Sequence, residues 1–226
     1  MKLVIFDCDG TLVDSQHIIF AAMQAAFSRH GLPDPDQAGV RSVVGLSLPI
    51  AIRQLVPSVE GHIIAALVEG YKTAFGELRG DPAYEEPLFP GARQAIEALH
   101  VRGDVVLGIA TGKSRRGVNH VLAMHGLEPY FMTVQTADIH PSKPHPAMIE
   151  HAMLEAGVGA ADAAMIGDTS YDMIMARAAG VTAIGAGWGY HSVTDLESAG
   201  AQAIVPDFPS LGAVLDRLLL ERDDAL

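Results

Sequence analysis

The sequence predicts an α/β fold, a Rossmann-like parallel sheet with helices on both faces, plus an all-helical cap inserted after the first strand. Three observations carry this prediction. Short apolar or β-branched runs alternate with helix-length segments over most of the chain, several of those runs end in an aspartate, and residues 15 to about 80 hold helical patterns with no convincing strand. Brief, continuously apolar runs are the mark of parallel strands buried on both faces. Their alternation with helices implies crossover connections and a sheet covered on each side.

In chain order, the first strand is "LVIFD" at 3 to 7. The inserted region follows. Ile18, Ile19, Ala22, Met23, Ala26 and Phe27 recur at helical spacing until Gly31 and Pro33 stop the pattern, and Ile63, Ile64, Leu67, Val68, Tyr71 and Phe75 form a second stripe. Both stripes read as packing faces. Pro82, Pro87, Pro90 and Gly91 punctuate the return to alternation as a stiff hinge would. Further strands are expected at 104 to 111, 163 to 168, 181 to 187 and 201 to 207, with helices at 91 to 101, 114 to 125, 145 to 156 and 170 to 179. The expected division is a core of residues 1–14 and 86–226 and a cap of residues 15–85.

A chain of 226 residues with 49% hydrophobic and 19% charged residues has the composition of a globular enzyme. Its formal net charge of -12 argues against nucleic acid or an anionic membrane as partner, since both demand clustered Lys and Arg. An anionic substrate would therefore need local cations. Cys8 is the only cysteine, so no disulfide closes within the chain; it reads as a small buried hydrophobe, and a reducing cytoplasm is the expected compartment. The apolar start reaches an aspartate at position 7, too soon for a secretory segment, and no run approaches the roughly 18 apolar residues of a spanning helix.

The chemistry is concentrated in four short stretches. "DCDGT" places Asp7 and Asp9 two residues apart where strand becomes turn, on one side if strand geometry persists, with Gly10 and Thr11 marking the turn. "GDTSYD" sets Asp168 after an apolar strand and Asp172 four residues on, at a helix start. Carboxylates gathered at one sheet edge repel one another and raise each other's pKa unless a cation holds them ionised. Mg2+, which prefers oxygen ligands and keeps positions for water and substrate, resolves the conflict, and Asp7, Asp9, Asp168 and Asp172 are the candidate ligands. "ATGKS" follows a strand, so Thr111 and the N–H of Gly112 are placed to bind phosphate near a helix N-terminus. "PSKPHP" holds Lys143 between prolines that limit its backbone freedom and make it a well-placed point charge.

These four stretches, in this order, resemble the motifs of the haloacid dehalogenase superfamily of aspartate-nucleophile phosphotransferases, and the resemblance covers the whole chain. The helical insertion is similar to the small cap of the phosphoglycolate phosphatase and β-phosphoglucomutase branch. The resemblance implies a Mg2+-dependent phosphatase acting on a small phosphate monoester, most like phosphoglycolate. Asp7 would be the nucleophile that takes up phosphorus, and Asp9 the acid and base. Mg2+ would sit on the Asp7 and Asp168 side chains and the Asp9 carbonyl, with Asp172 ordering its surroundings; Gly10, Thr111, Gly112 and Lys143 would hold the phosphoryl oxygens. In the cap, Gly45, Leu46 and Ser47 are the expected substrate loop, with Arg41, Arg53 and Lys72 as possible anion contacts. A metal-free dehalogenase has no need of Asp9. A sugar-phosphate mutase would carry a basic residue where Leu48 stands and a cap histidine where Ile19 stands. A catalytically silent binding protein on the same scaffold is the alternative from another class. His17, His140 and His145 lack a convincing metal-ligand spacing and read as surface or turn residues.

Overall fold

A computed structural model describes residues 1–220. Its centre is a six-stranded, all-parallel sheet in the order β3-β2-β1-β4-β5-β6. The strands are β1 (Lys2–Phe6), β2 (Val105–Thr111), β3 (Phe131–Thr136), β4 (Ala163–Gly167), β5 (Thr182–Ala186) and β6 (Ala203–Val205). The first strand lies between β2 and β4, where the direction of winding reverses. That reversal opens a crevice beyond the strands' carboxyl ends, the place where open α/β sheets bind their ligands.

Period-two alternation in β1 sorts the core into two layers. Val4 and Phe6 face the cluster built from helix α5 (Ala92–His100), helix α6 (Arg115–Met124) and helix α10 (Leu211–Leu215), with Ile96, Leu122 and Leu211 among its buried members. Leu3 and Ile5 face the other cluster, where helix α7 (Ala147–Ala156), helix α8 (Ser170–Ala178) and helix α9 (Val193–Ser198) supply Met148, Ile149, Met173, Ala176 and Leu196. With both faces covered, β1 is buried at every residue, which explains why it reads as an unbroken apolar run. The strand's end is thereby clamped from both sides.

Between β1 and α5 run four helices: α1 (Gln16–Arg29), α2 (Gln37–Val43), α3 (Leu48–Leu55) and α4 (Gly61–Leu78). Both stripes seen in the sequence pack inward, since Met23, Ala26, Phe27, Ile64, Leu67 and Val68 share one buried cluster with Val40, Val44 and Ile52. This helical insertion therefore has a core of its own.

One strand escapes the sequence reading. β3, "FMTVQT", has Thr133, Gln135 and Thr136 buried and Met132 58% exposed, the reverse of a hydrophobic signal. It sits at the sheet edge, and Gln135 is satisfied by bonds to the Thr133 hydroxyl, Glu155 and His140. Hydrogen bonding stabilises this strand where apolar burial does not.

Ile5 is fully buried against α7 and α8, two residues before Asp7. Its replacement by Ala should lower stability by about 2–5 kcal/mol through lost transfer energy and a residual cavity. Denaturant unfolding of the two proteins checks this, and a loss under about 1 kcal/mol would mean that the β1 layer collapses around the gap.

Candidate active site

The carboxyl ends of β1 and β4 and the start of α8 bring Asp7, Asp168 and Asp172 together, with one carboxylate oxygen from each lying within 4.8 Å of the others. All three are fully buried. Asp7 Oδ1 accepts from the Cys8 N–H at 2.7 Å, Asp168 Oδ1 from the Thr11 hydroxyl at 2.8 Å and Asp168 Oδ2 from the Tyr190 N–H at 2.9 Å. Asp172 belongs to a capping box on α8: Thr169 is the N-cap, and its N–H and hydroxyl reach Asp172 Oδ2 at 3.1 and 2.7 Å. The helix start, and not sequence spacing alone, fixes the fourth motif's second carboxylate.

One group stands opposite this cluster. Lys143 is 2% exposed, and its Nζ lies 2.9 Å from Asp7 Oδ1 and 2.7 Å from Asp172 Oδ1. Burial works against its charge, but Asp172 and Asp7 outweigh burial and hold the ammonium above its usual range. Burial raises the Asp7 carboxyl to about 7, with Asp172 adding to the rise and Lys143 opposing it. The Asp168 carboxyl is likewise pushed well up, first by burial and then by Asp7 and Asp172. Asp7 Oδ2 is buried without a hydrogen-bond partner among the described residues. An orphaned carboxylate oxygen beside two more buried carboxylates fits a hard divalent cation, whose charge relieves the repulsion among the three.

Asp9 does not share this environment, contrary to the expectation from strand alternation. β1 ends at Phe6 and the chain turns through Gly10, whose φ of +82° only glycine adopts without strain. A Cβ at Gly10 would lie 2.2 Å from Asp168 Oδ2, so the close approach needs glycine as well. The N–H of Gly10, expected at phosphate, donates to the Val13 carbonyl at 2.9 Å. Asp9's carboxylate is outside the three-carboxylate group, and its Oδ1 accepts from the Ser15 hydroxyl at 2.6 Å and Lys113 Nζ at 2.7 Å. Lys113 also bonds Glu86 Oε1 at 2.7 Å, and both side chains are largely buried, 8% and 3% exposed. Sequence reasoning missed Lys113, Glu86, Ser15 and Tyr190; Lys113 lies inside "ATGKS", but nothing in the spacing ties it to Glu86 in the proline-rich return segment.

Thr111 ends β2, and its hydroxyl supports Asp7 and accepts from the Lys113 N–H at 3.2 Å. Gly112 faces the helical insertion: a Cβ there would stand 2.3 Å from the Gly45 carbonyl and 2.7 Å from that of Leu46. Ser47 donates its N–H to Ser142 Oγ at 2.8 Å. The loop of Gly45, Leu46 and Ser47 therefore lies against the second and third motifs, and with Gly112 and Lys113 of the second it lines a cavity of about 570 Å³ that reaches Asp9. Lys72 is at its exposed rim, 2.8 Å from Glu69. Arg41 stacks over Tyr190 and lines a different groove, and Arg53 is exposed away from the cavity, so neither serves as the anion contact the sequence suggested. His17 and His145 are exposed, and His140 bonds Gln135.

A family model described as haloacid dehalogenase-like hydrolase matches residues 4–186. Among similar proteins, one from Dickeya dadantii named Probable phosphatase IndB is 38% identical over 220 residues, covering 96% of this chain and 94% of its own. A phosphoglycolate phosphatase from Nitrosococcus oceani is 31% identical over 207 residues, with 90% and 92% covered. Among solved structures, a predicted phosphatase from Clostridium acetobutylicum superposes with a TM-score of 0.85 at 25% identity, covering 96% of this chain and 99% of that one.

The buried carboxylates lead to a pH-dependent test. With its carboxyl raised to about 7, Asp7 keeps a proton in the folded, cation-free chain that the unfolded chain gives up near its ordinary value of 3.8. Stability from this group is therefore complete below the lower value and lost as pH rises through the upper one. A divalent cation takes the proton's place, so it should raise the melting temperature more at about pH 8 than at about pH 5.5. Thermal unfolding with and without the cation measures both shifts; an equal shift at the two values would remove these carboxylates as its ligands.

Proposed function

The chain belongs to the haloacid dehalogenase-like hydrolase family, and on that premise we propose that it is a Mg2+-dependent phosphatase that hydrolyses a small phosphate monoester through an aspartyl-phosphate on Asp7. The observation that carries this reading is the state of Asp7. It is fully buried at a strand end, has one oxygen free of hydrogen bonds and has its other oxygen on Lys143. A carboxylate so aimed attacks phosphorus with Oδ2 while the ester P–O bond breaks, and water then cleaves the new P–O bond to regenerate Asp7. Splitting one displacement into two lowers each barrier.

Asp9 supplies the proton. It gives one to the departing alcohol and takes one from the attacking water, so the carboxyl returns to its starting state. The Ser15 and Lys113 bonds both fall on Oδ1, and Oδ2 takes part in neither. Fixing one oxygen leaves the other as the transfer atom. Lys143, Thr111 and the Gly112 N–H are the groups we assign to the phosphoryl oxygens, where the transition state spreads its charge. Asp7, Asp168 and Asp172, with the Asp9 carbonyl, are the groups we assign to Mg2+, which when bound neutralises charge between nucleophile and phosphoryl group.

The helical insertion, residues 15–85, acts in this reading as a cap that excludes water while the loop at Gly45 to Ser47 faces the leaving group. Relatives bearing the name phosphoglycolate phosphatase make phosphoglycolate the reference ester. We place the enzyme in the cytoplasm on its acidity and single buried thiol; among the described residues no helix is long and apolar enough to cross a membrane.

Phosphate release from p-nitrophenyl phosphate is the direct test. Activity should vanish with EDTA and return with Mg2+, and Asp7→Asn should lower turnover by on the order of a thousandfold or more while the melting temperature stays near or above that of the native chain. A silent binding protein releases no phosphate, and near-native turnover in the Asn variant would remove Asp7 as nucleophile.

A further inference from the structure

The leaving-group side of this site is larger and less polar than a two-carbon acid needs. The cavity of about 570 Å³ falls within the roughly 300–1,000 Å³ of sites that enclose drug-sized ligands. Glycolate fills a small fraction of such a space. Ile19, Met23, Val44, Val68, Tyr71 and Phe75 form its wall, drawn from α1, α4 and the segment after α2. All six belong to or pack against the buried cluster of the insertion, so the wall is a continuation of that core.

The cations of this cavity stand beside the apolar wall and not within it. Lys113, nearest Asp9, already bonds Asp9 and Glu86 at 2.7 Å each. Arg79 faces Glu86 at 3.9 Å and lies over the Phe75 ring, 5.1 Å from its centroid. Lys72 is paired with Glu69, and both it and Arg116 are exposed at the rim. Arg79 keeps a buried Nε without a hydrogen-bond partner among the described residues, but the Ile19, Met23, Val44 and Val68 part of the wall offers no polar group, so a carboxylate pushed against it would lose its water with nothing in return. An uncharged ring loses little hydration and gains apolar contact with every wall residue.

Resting on the phosphatase reading, we propose that the substrate is a phosphate monoester whose alcohol carries an uncharged, ring-sized, largely apolar or planar group seated against the Ile19, Val68, Tyr71 and Phe75 wall. The phosphoryl end lies at Asp7 and the bridging oxygen at Asp9. Selectivity then comes from apolar area buried under the closed insertion, and not from recognition of a second negative charge.

Benzyl phosphate, ethyl phosphate and 2-phosphoglycolate distinguish the possibilities, because benzyl and ethyl alcohols are leaving groups of similar basicity and differ in the ring. The native enzyme with Mg2+ should show kcat/KM for benzyl phosphate above that for ethyl phosphate by on the order of tenfold or more, with phosphoglycolate no better than ethyl phosphate. Val68→Phe, which fills part of the cavity, should narrow the benzyl-to-ethyl ratio mainly through KM. Equal rates on benzyl and ethyl phosphate, or a preference for phosphoglycolate, overturn this inference and leave the phosphatase reading intact. Release of phosphate from none of the three, nor from p-nitrophenyl phosphate, overturns the phosphatase reading and this inference with it.

Discussion

Three buried carboxylates within 4.8 Å of one another are the constraint that the rest of the structure accommodates. Left alone, such groups repel and pick up protons, and the desolvation of each costs several kcal/mol. The protein opposes that cost with Lys143, which bridges Asp7 and Asp172, and with donors aimed from three separate segments: the Cys8 N–H and Thr11 hydroxyl of the turn after β1, the Tyr190 N–H and the Thr169 cap. None of these donors can be placed without the sheet. β1 and β4 must be neighbours for Asp7 and Asp168 to meet, and the winding reversal at β1 is what leaves the crevice open above them.

A second set of buried charges ties that sheet to the helical insertion. Lys113 leaves the loop after β2, touches Asp9 at the end of β1 and Glu86 in the segment that returns from the insertion, and lies 5.3 Å above the Phe75 ring of α4. One ammonium thus contacts the core, the return segment and the insertion together. Removing either partner of such a buried group would strand the other, a penalty larger than the net worth of the pair. The contacts of Gly112 with Gly45 and Leu46, and of Ser142 with Ser47, repeat the connection at the second motif and extend it to the third. The geometry of Asp9 therefore depends on how the insertion sits.

Much of this was legible in the sequence because burial leaves a pattern. β1, β2, β4, β5 and β6 read as apolar runs since both sheet faces are covered, and the first and fourth motifs read as chemistry because acidic residues follow apolar runs. β3 was not legible: its inward positions are Thr133, Gln135 and Thr136, satisfied by hydrogen bonds that composition does not reveal. The alternation that would set Asp9 beside Asp7 stops short of it, because β1 ends at Phe6 and the chain enters a turn that needs a positive φ at Gly10. Lys113 and Glu86 were invisible because their pairing crosses 27 positions and joins a loop to a hinge. Arg41 and Arg53 show the opposite error, a cation in the right segment on the wrong face.

Charge counting over the assembled site gives a reason, independent of any motif, for a divalent cation. Asp7, Asp9, Glu86, Asp168 and Asp172 are five acidic side chains, while Lys113 and Lys143 are two ammonium groups, both already committed to those acids. Five less these two and the Arg79 guanidinium beside Glu86 leaves a formal charge of minus two where a phosphate ester, itself an anion, must arrive. Protonating Asp7 would reduce the count but, in the proposed reading, would also disable the oxygen that attacks. A metal ion would lower the negative charge and keep that oxygen ionised, and only a cation without a transferable proton does both. The acidity of the site thus supports the proposed metal on grounds of charge as well as of geometry. The apolar wall beyond Asp9 has no such debt, which leaves its shape free to differ between enzymes that share the same carboxylates.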